Sequence, residues 1–517
     1  MAIPLRPGLT RSCWRRRTSV LALIAASTLA PQGAPGLALA DPPTLPRFDP
    51  VTGIALNVFT DRSTWLFTQA WVEVPQVDTD GDGLSDLIHV DYTRPAETET
   101  EDLDVPVILA MSPYYAGVTS VQNHTVFTEV GEEPIYGDPP YTLTGKNNTR
   151  LERTAGSGNN AYTYAISAAN ILDYVPKGFA VAHAETLGSG WSQGCPTAGD
   201  QREQAAAKAA VEWFAGYGTA YTDESRTQVV SAASWSAGKV GMLGTSYEGT
   251  LPIMAAAAGA RGLKAIMPDS AIGSWYEYYR ANGTYRAPGG YPGEDTDIHA
   301  KFNYSSMAYS HSADPAICQP IFTALENAQD RASGNMSAFW EERDYTGTVP
   351  NWDTAVFIEA GFRDWNVMAQ HSARLIEALK ANNKNWQAWF HQQGHGHSHP
   401  TPEIRNAFFT HYLYGGAPSG GEQRVYLYPS TPLEQSTTNW AAVEPEEFDT
   451  WPVPGTQAVT LNLAPATGVE PGSLTFDTKA GIGAVQSFTD ETAGYGNSVP
   501  AYASGLPSDQ VYTPLND

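Results

Sequence analysis

Cysteine is scarce in this chain, with three residues in 517. Cys13 falls in a signal-like N-terminal segment, so Cys195 and Cys318 alone remain, and the mature protein holds at most one disulfide. Such a bond suits an exported protein. Two separate thiols are the alternative, because sequence does not supply the Cα spacing that a disulfide needs. Basic residues are also few: 30 Lys and Arg stand against 55 Asp and Glu, a formal net charge of −25. The first 40 residues hold five of the arginines and no acid, so without them the charge is −30. That acidity argues against nucleic acid and anionic membranes as partners. No apolar run after the N-terminus is long enough to span a bilayer. What is abundant is aromatic: 14 Trp and 26 Tyr, with 42% apolar residues overall, enough for a large core.

The length allows two or three domains. Arg15-Arg16-Arg17, the apolar stretch Val20 to Ala26, and Ala38-Leu39-Ala40 before Asp41 read as a signal peptide over residues 1–40. The expected location is therefore secreted, with the arginine cluster raising a twin-arginine route. Short apolar runs then alternate with helix-like stretches. The runs are Val105 to Met111, Phe179 to Ala184, Lys239 to Leu243, Lys264 to Met267, Ala355 to Ala360 and Trp386 to Phe390. The clearest helix is Asp200 to Tyr217. This pattern predicts an α/β domain over 41–415 with a mostly parallel sheet covered on both faces. Residues 275–350 are aromatic and polar without a clear strand, so they read as a helical cap insertion. Gly415 to Gly421 reads as a linker, and 422–517 as an all-β domain, short for a sandwich.

Gly244-Thr245-Ser246-Tyr247-Glu248-Gly249 sits between an apolar run and a small-residue stretch, the setting of a nucleophile elbow. The second glycine comes one residue later than the usual pattern. A serine nucleophile needs a base and a group that orients the base. Asp364 follows the run Ala355 to Ala360, where sites of open α/β sheets collect; capping the next helix is its other reading, and Asp269 is the second acid candidate. His395 is the chosen base, with His397 and His399 in the same loop as alternatives. A zinc site is the competing reading of that loop, weakened because no Cys or carboxylate joins it at ligand spacing. For the oxyanion, the backbone N–H of Tyr247 is the first expected donor. A tyrosine hydroxyl from Ser112-Pro113-Tyr114-Tyr115 is the second.

Several of these stretches resemble one family, the serine X-prolyl dipeptidyl-peptidases and the related cocaine-esterase-like α/β-hydrolases. Gly244 to Thr250 resembles its elbow, displaced glycine included. Ser112 to Tyr115 resembles its oxyanion segment, and Gly188 to Gly199 its glycine-rich loop. Gly361 to Val367 resembles its acid loop, and Gln393-Gly394-His395 its histidine loop. The resemblance implies Ser246, Asp364 and His395 as the triad and Tyr114 as an oxyanion donor. It also implies Trp275 and Tyr278 as the proline pocket, and Glu294 (or Asp295) with Asn366 as the ammonium site. The implied substrates are peptides with a penultimate proline, and a homodimer is left open. A related esterase or acylase is the alternative activity; a calcium-stabilised binding protein with an inactive elbow is a third. The family's C-terminal jelly roll is longer, so the β-rich end here reads as truncated, its first half.

Catalysis calls for no cofactor. A structural calcium is expected at Asp78, Asp80, Asp82 and Asp86, which with Gly83 follow calcium-loop spacing between two strand-like flanks. The twelfth position is His89 instead of Glu.

Overall fold

The structure is a computed structural model that describes residues 44–119, 121–124, 166–281, 283–290, 293–305, 314–396, 400–416, 423–428, 445–464 and 473–476. The signal segment, His397, His399, the linker glycines Gly420 and Gly421, and most of the expected β-domain lie outside the described residues. No helix among the described residues is long and apolar enough to cross a membrane.

The first strands among the described residues form an antiparallel hairpin, β1 (Leu66–Glu73) and β2 (Leu87–Arg94), followed by β3 (Val105–Ser112) and β4 (Ala180–Glu185). Two short strands come next, β5 (Ala220–Tyr221) and β6 (Val229–Val230), then β7 (Ser236–Thr245) and β8 (Leu263–Asp269). β9 (Arg280–Ala281) and β10 (Thr284–Tyr285) form a small separate hairpin. β11 (Ala355–Gly361), β12 (Trp386–His391), β13 (Gln423–Leu427) and β14 (Glu446–Phe448) complete a twelve-stranded sheet, and β15 (Asn462–Ala464) pairs with β16 (Ser473–Thr475) apart from it. The sheet order is β14-β13-β12-β11-β8-β7-β3-β4-β2-β1-β5-β6.

Its centre is parallel: β4 with β3, β3 with β7, β7 with β8, β8 with β11, β11 with β12, and β12 with β13. The strands β3, β4, β11 and β12 are buried along their whole length. That is why they read as continuous apolar runs rather than alternating ones, since helices cover both faces of a parallel sheet.

One strand falls elsewhere than expected. Gln423–Leu427 follows the glycine linker and reads as the start of a separate β-domain. It instead pairs in parallel with β12, Trp386 opposite Gln423 through Phe390 opposite Leu427. Val425 is fully buried and Tyr426 nearly so. Burial against the open edge of the sheet outweighs the local linker signal. Residues 275–351 carry the helices Trp275–Tyr279, Thr296–Asn303, Pro315–Ala328 and Ala338–Glu341, and also the β9–β10 hairpin that no sequence signal announces.

Helix ends follow local chemistry. Asp200 caps Gln201–Phe214, its side chain accepting the N–H groups of Arg202 and Glu203. Cys195 and Cys318 form a disulfide, with Cα atoms 5.5 Å apart. It ties the glycine-rich loop before that helix to Pro315–Ala328 in the inserted segment.

Candidate active site

Ser246 is the single residue between β7 and the helix Tyr247–Ala257. Its backbone has φ +64° and ψ −126°. A side-chain-bearing residue held there stores on the order of 1–3 kcal/mol of strain, and such strain clusters at functional sites. The turn is fixed by the Ser246 N–H, which donates to Asp269 O at 2.8 Å.

The displaced glycine has a physical reason. A Cβ on Gly249 would lie 2.6 Å from Asp269 O and 2.7 Å from Gly244 O, and one on Gly244 would lie 2.4 Å from Glu248 O. The first helical turn crosses the ends of β7 and β8 so closely that positions 244 and 249 admit no side chain. Position 248 stays open to one, and Glu248 fills it, its carboxyl raised by burial and drawn back by a hydrogen bond from Ser112.

Asp364 and His395 come together as expected. Asp364 Oδ2 lies 2.7 Å from His395 Nδ1. Its Oδ1 accepts the N–H groups of Asn366 and Val367, both at 2.9 Å. Holding the turn and holding the imidazole are therefore not rival readings, because each uses its own oxygen. The acid and histidine loops touch: a Cβ on Gly361 would meet Gln393 O at 2.4 Å. Gly396, next after His395, packs on Thr245, next before Ser246, where a Cβ would sit 2.8 Å from Thr245 Cγ2. The second acid candidate, Asp269, accepts from Thr245 Oγ1 at 2.8 Å and Ser270 Oγ at 2.9 Å.

Ser246 opens into a cavity of about 540 Å³ whose lining includes Tyr114, Tyr247, Tyr278, Glu294, His299 and Asn366. Burial holds the phenols of Tyr114, Tyr247 and Tyr278 well above the usual tyrosine range, so they stay protonated hydrogen-bond donors. Tyr278 donates to Asn366 Oδ1 at 2.7 Å. Glu294 Oε1 accepts from Tyr279 Oη at 3.0 Å and faces His299 Nδ1 at 3.3 Å. His299 Nε2 lies 3.2 Å from Tyr114 Oη.

Two expectations change. Trp275 does not line the cavity. It is fully buried behind it, its indole N–H donating to Tyr345 Oη at 2.9 Å and its ring 5.1 Å from that of Tyr247. Asp295 is not an alternative to Glu294, since it caps Thr296–Asn303 and is paired by Arg280 Nη2 at 2.8 Å and Arg331 Nη1 at 2.9 Å, with no exposure.

Sequence reading missed His299 and Glu203. His299 stands in a charged helix with no motif around it. Glu203 lies on Gln201–Phe214, and its Oε2 accepts from Tyr247 Oη and from Gly199 N–H, both at 2.6 Å. Burial pushes its carboxyl up to about 7 against those two hydrogen bonds.

In the β1–β2 loop, Asp78, Asp80 and Asp86 gather, while Asp82 stays outside the group. Burial pushes Asp86 up to about 7, with the charges of Asp80 and Asp78 adding to it. His89 is no loop ligand: it is buried in β2 with Nδ1 2.9 Å from Glu185 Oε2.

Residues 80–397 match the X-Pro dipeptidyl-peptidase (S15 family). The chain belongs to that family. A Rhodopirellula baltica member, provisionally named Xaa-Pro dipeptidyl-peptidase, is 38% identical over 79% of this chain and 63% of its own length. The Xaa-Pro dipeptidyl-peptidase of Lactiplantibacillus plantarum is 35% identical over 70% of this chain and 46% of its own. The chain thus spans about half to two thirds of the family relatives it matches. A solved CocE/NonD family hydrolase from Staphylococcus aureus aligns with 77% of this chain and 58% of its own at 16% identity, with a TM-score of 0.45.

Proposed function

We propose that this family member is a serine exopeptidase that releases Xaa-Pro dipeptides from free peptide N-termini. The observation that carries the reading is that one cavity is lined by both Ser246 and Glu294. A carboxylate there suits a substrate ammonium, through a charge-assisted hydrogen bond. It gives nothing to an N-acylated peptide, whose amide is uncharged.

The contact to Asp364 Oδ2 favours the His395 tautomer with its proton on Nδ1, leaving Nε2 to accept the Ser246 Oγ proton. Ser246 Oγ attacks the carbonyl carbon of proline. The Tyr247 N–H and the Tyr114 hydroxyl donate to the oxyanion. His395 passes the proton to the departing amine, and water then cleaves the acyl-enzyme by the same proton path in reverse. A nucleophile–base hydrogen bond commonly tightens only when substrate is bound. Tyr278 and Asn366 form a wall for the proline ring, with Trp275 packed behind. The Cys195–Cys318 bond and the signal-like N-terminus support a secreted enzyme.

The test compares Ala-Pro anilide, its N-acetyl derivative and a short-chain nitrophenyl ester. Strong preference for the free anilide is expected. Equal turnover of the two anilides would remove the exopeptidase reading, and preference for the ester would favour an esterase with the same triad.

A further inference from the structure

The acidic loop between β1 and β2 plays no part in that reaction. Asp78, Asp80 and Asp86 each bring a carboxylate oxygen within 4.8 Å of the others. Clustered acids alone say little, but Asp86 adds an independent observation. It is 1% exposed, and its Oδ2 accepts the N–H of Thr79 at 2.9 Å and the Thr79 hydroxyl at 2.6 Å. Its Oδ1 is buried and accepts nothing. A buried carboxylate oxygen without a donor is costly, and Asp86 stands beside two more carboxylates.

We propose that this loop binds a calcium ion through Asp78, Asp80 and Asp86, with the unpartnered Asp86 Oδ1 as the buried ligand. Oxygen donors of this kind suit a hard divalent cation, and calcium's remaining coordination positions fall to loop carbonyls and water. The ligand set is smaller than spacing alone suggests. Asp82 stands outside the group, and the twelfth-position His89 lies in β2.

The site has a structural consequence. Thr79, bonded to Asp86, accepts the Cys195 N–H on its Oγ1 at 2.7 Å. A Cβ on Gly194 would lie 2.4 Å from that Oγ1 and 2.5 Å from Asp86 Oδ2. Cys195 is in turn joined to Cys318 on Pro315–Ala328. The ion therefore braces the β1–β2 loop against the loop that anchors the inserted helices.

The full chain, freed of metal with a chelator, is titrated with calcium chloride by calorimetry and melted with and without 1 mM calcium. Saturable binding heat and a Tm rise of roughly 2 °C or more are expected. Asp80→Asn and Asp86→Asn each lose both signals, whereas Asp82→Asn keeps them. No heat and no Tm response in the unsubstituted chain would overturn the proposal, as would Asp82→Asn losing both signals as fully as the other two. Neither readout depends on peptidase activity.

Discussion

The cavity has two walls of different construction. One is the C-terminal edge of the parallel sheet, where Ser246 and Tyr114 line the cavity and the Asp364–His395 pair stands on neighbouring strand ends. The other is the inserted segment, whose Tyr278, Glu294 and His299 line the cavity with Tyr279 buried behind them. On the sheet side, each side chain is placed within a few residues of a strand end, by a turn whose geometry is local. On the inserted side, groups are placed by side-chain hydrogen bonds between residues far apart in sequence, such as His299 to Tyr114. On the proposed function this is a division of labour, with chemistry on the sheet and recognition of the peptide N-terminus on the insertion. Substitutions can break or sharpen it.

The largest effect should fall on the sheet side. Ser246→Ala is expected to lower kcat by about 10⁴-fold or more on every substrate, with Tm little changed. Substantial residual turnover in the purified variant would place the nucleophile elsewhere. Tyr114→Phe removes one oxyanion donor and should cost about 10²- to 10³-fold in kcat, with KM nearly constant. A change confined to KM would make Tyr114 a wall of the cavity and not a donor.

Beneath the same wall, Glu203 supports Tyr247 from a buried position. Its carboxyl is raised from an ordinary 4.5 to about 7, with burial as the main cause. A raised pKa in the folded state means that the contribution to stability is fully present below about pH 4.5 and is lost as pH rises through about 7. Relative to Glu203→Gln, the unsubstituted protein should therefore lose on the order of 3 kcal/mol of stability between those limits. Parallel stability–pH curves for the two proteins would show that Glu203 titrates normally.

What could be read from the sequence follows this same divide. The core strands, the elbow, the acid turn and the histidine loop are visible because burial on both sheet faces and the close crossing of glycine backbones leave residue patterns in single short segments. Gly249 is an example, since its position is set by Asp269 O and Gly244 O. Glu203, His299 and the place of Trp275 behind the cavity are not visible in that way. Nothing near His299 in sequence signals that Tyr114, distant along the chain, will meet its Nε2. Tyr279 had a faint signal, the aromatic run from Trp275. β13 misleads for a related reason: a glycine-rich linker says that the chain turns, not which edge it returns to.

On the inserted side, Glu294→Gln should cost about 10²-fold in kcat/KM for a free Ala-Pro anilide, the scale expected when a charged partner is removed from a buried hydrogen bond. The acetylated anilide, which carries no ammonium, should change little. Equal losses on both substrates would mean that Glu294 acts through the fold of the insertion instead of on the substrate.

The smallest effect tests whether the two walls are joined. His299 touches Glu294 and Tyr279 through Nδ1 and Tyr114 through Nε2. In the neutral form with its proton on Nδ1, the ring accepts the Tyr114 hydroxyl proton, which then points away from an oxyanion. With its proton on Nε2 instead, the ring donates to Tyr114 Oη and leaves the phenol proton to point elsewhere. His299→Gln, which removes the ring's contacts to both walls, should therefore lower kcat about tenfold, the low end of what a positioned hydrogen-bond partner contributes. The loss should appear with the acetylated anilide as well as the free one, unlike that of Glu294→Gln. If His299→Gln lowers Tm but leaves kcat unchanged, the histidine only fills space and the two walls work independently.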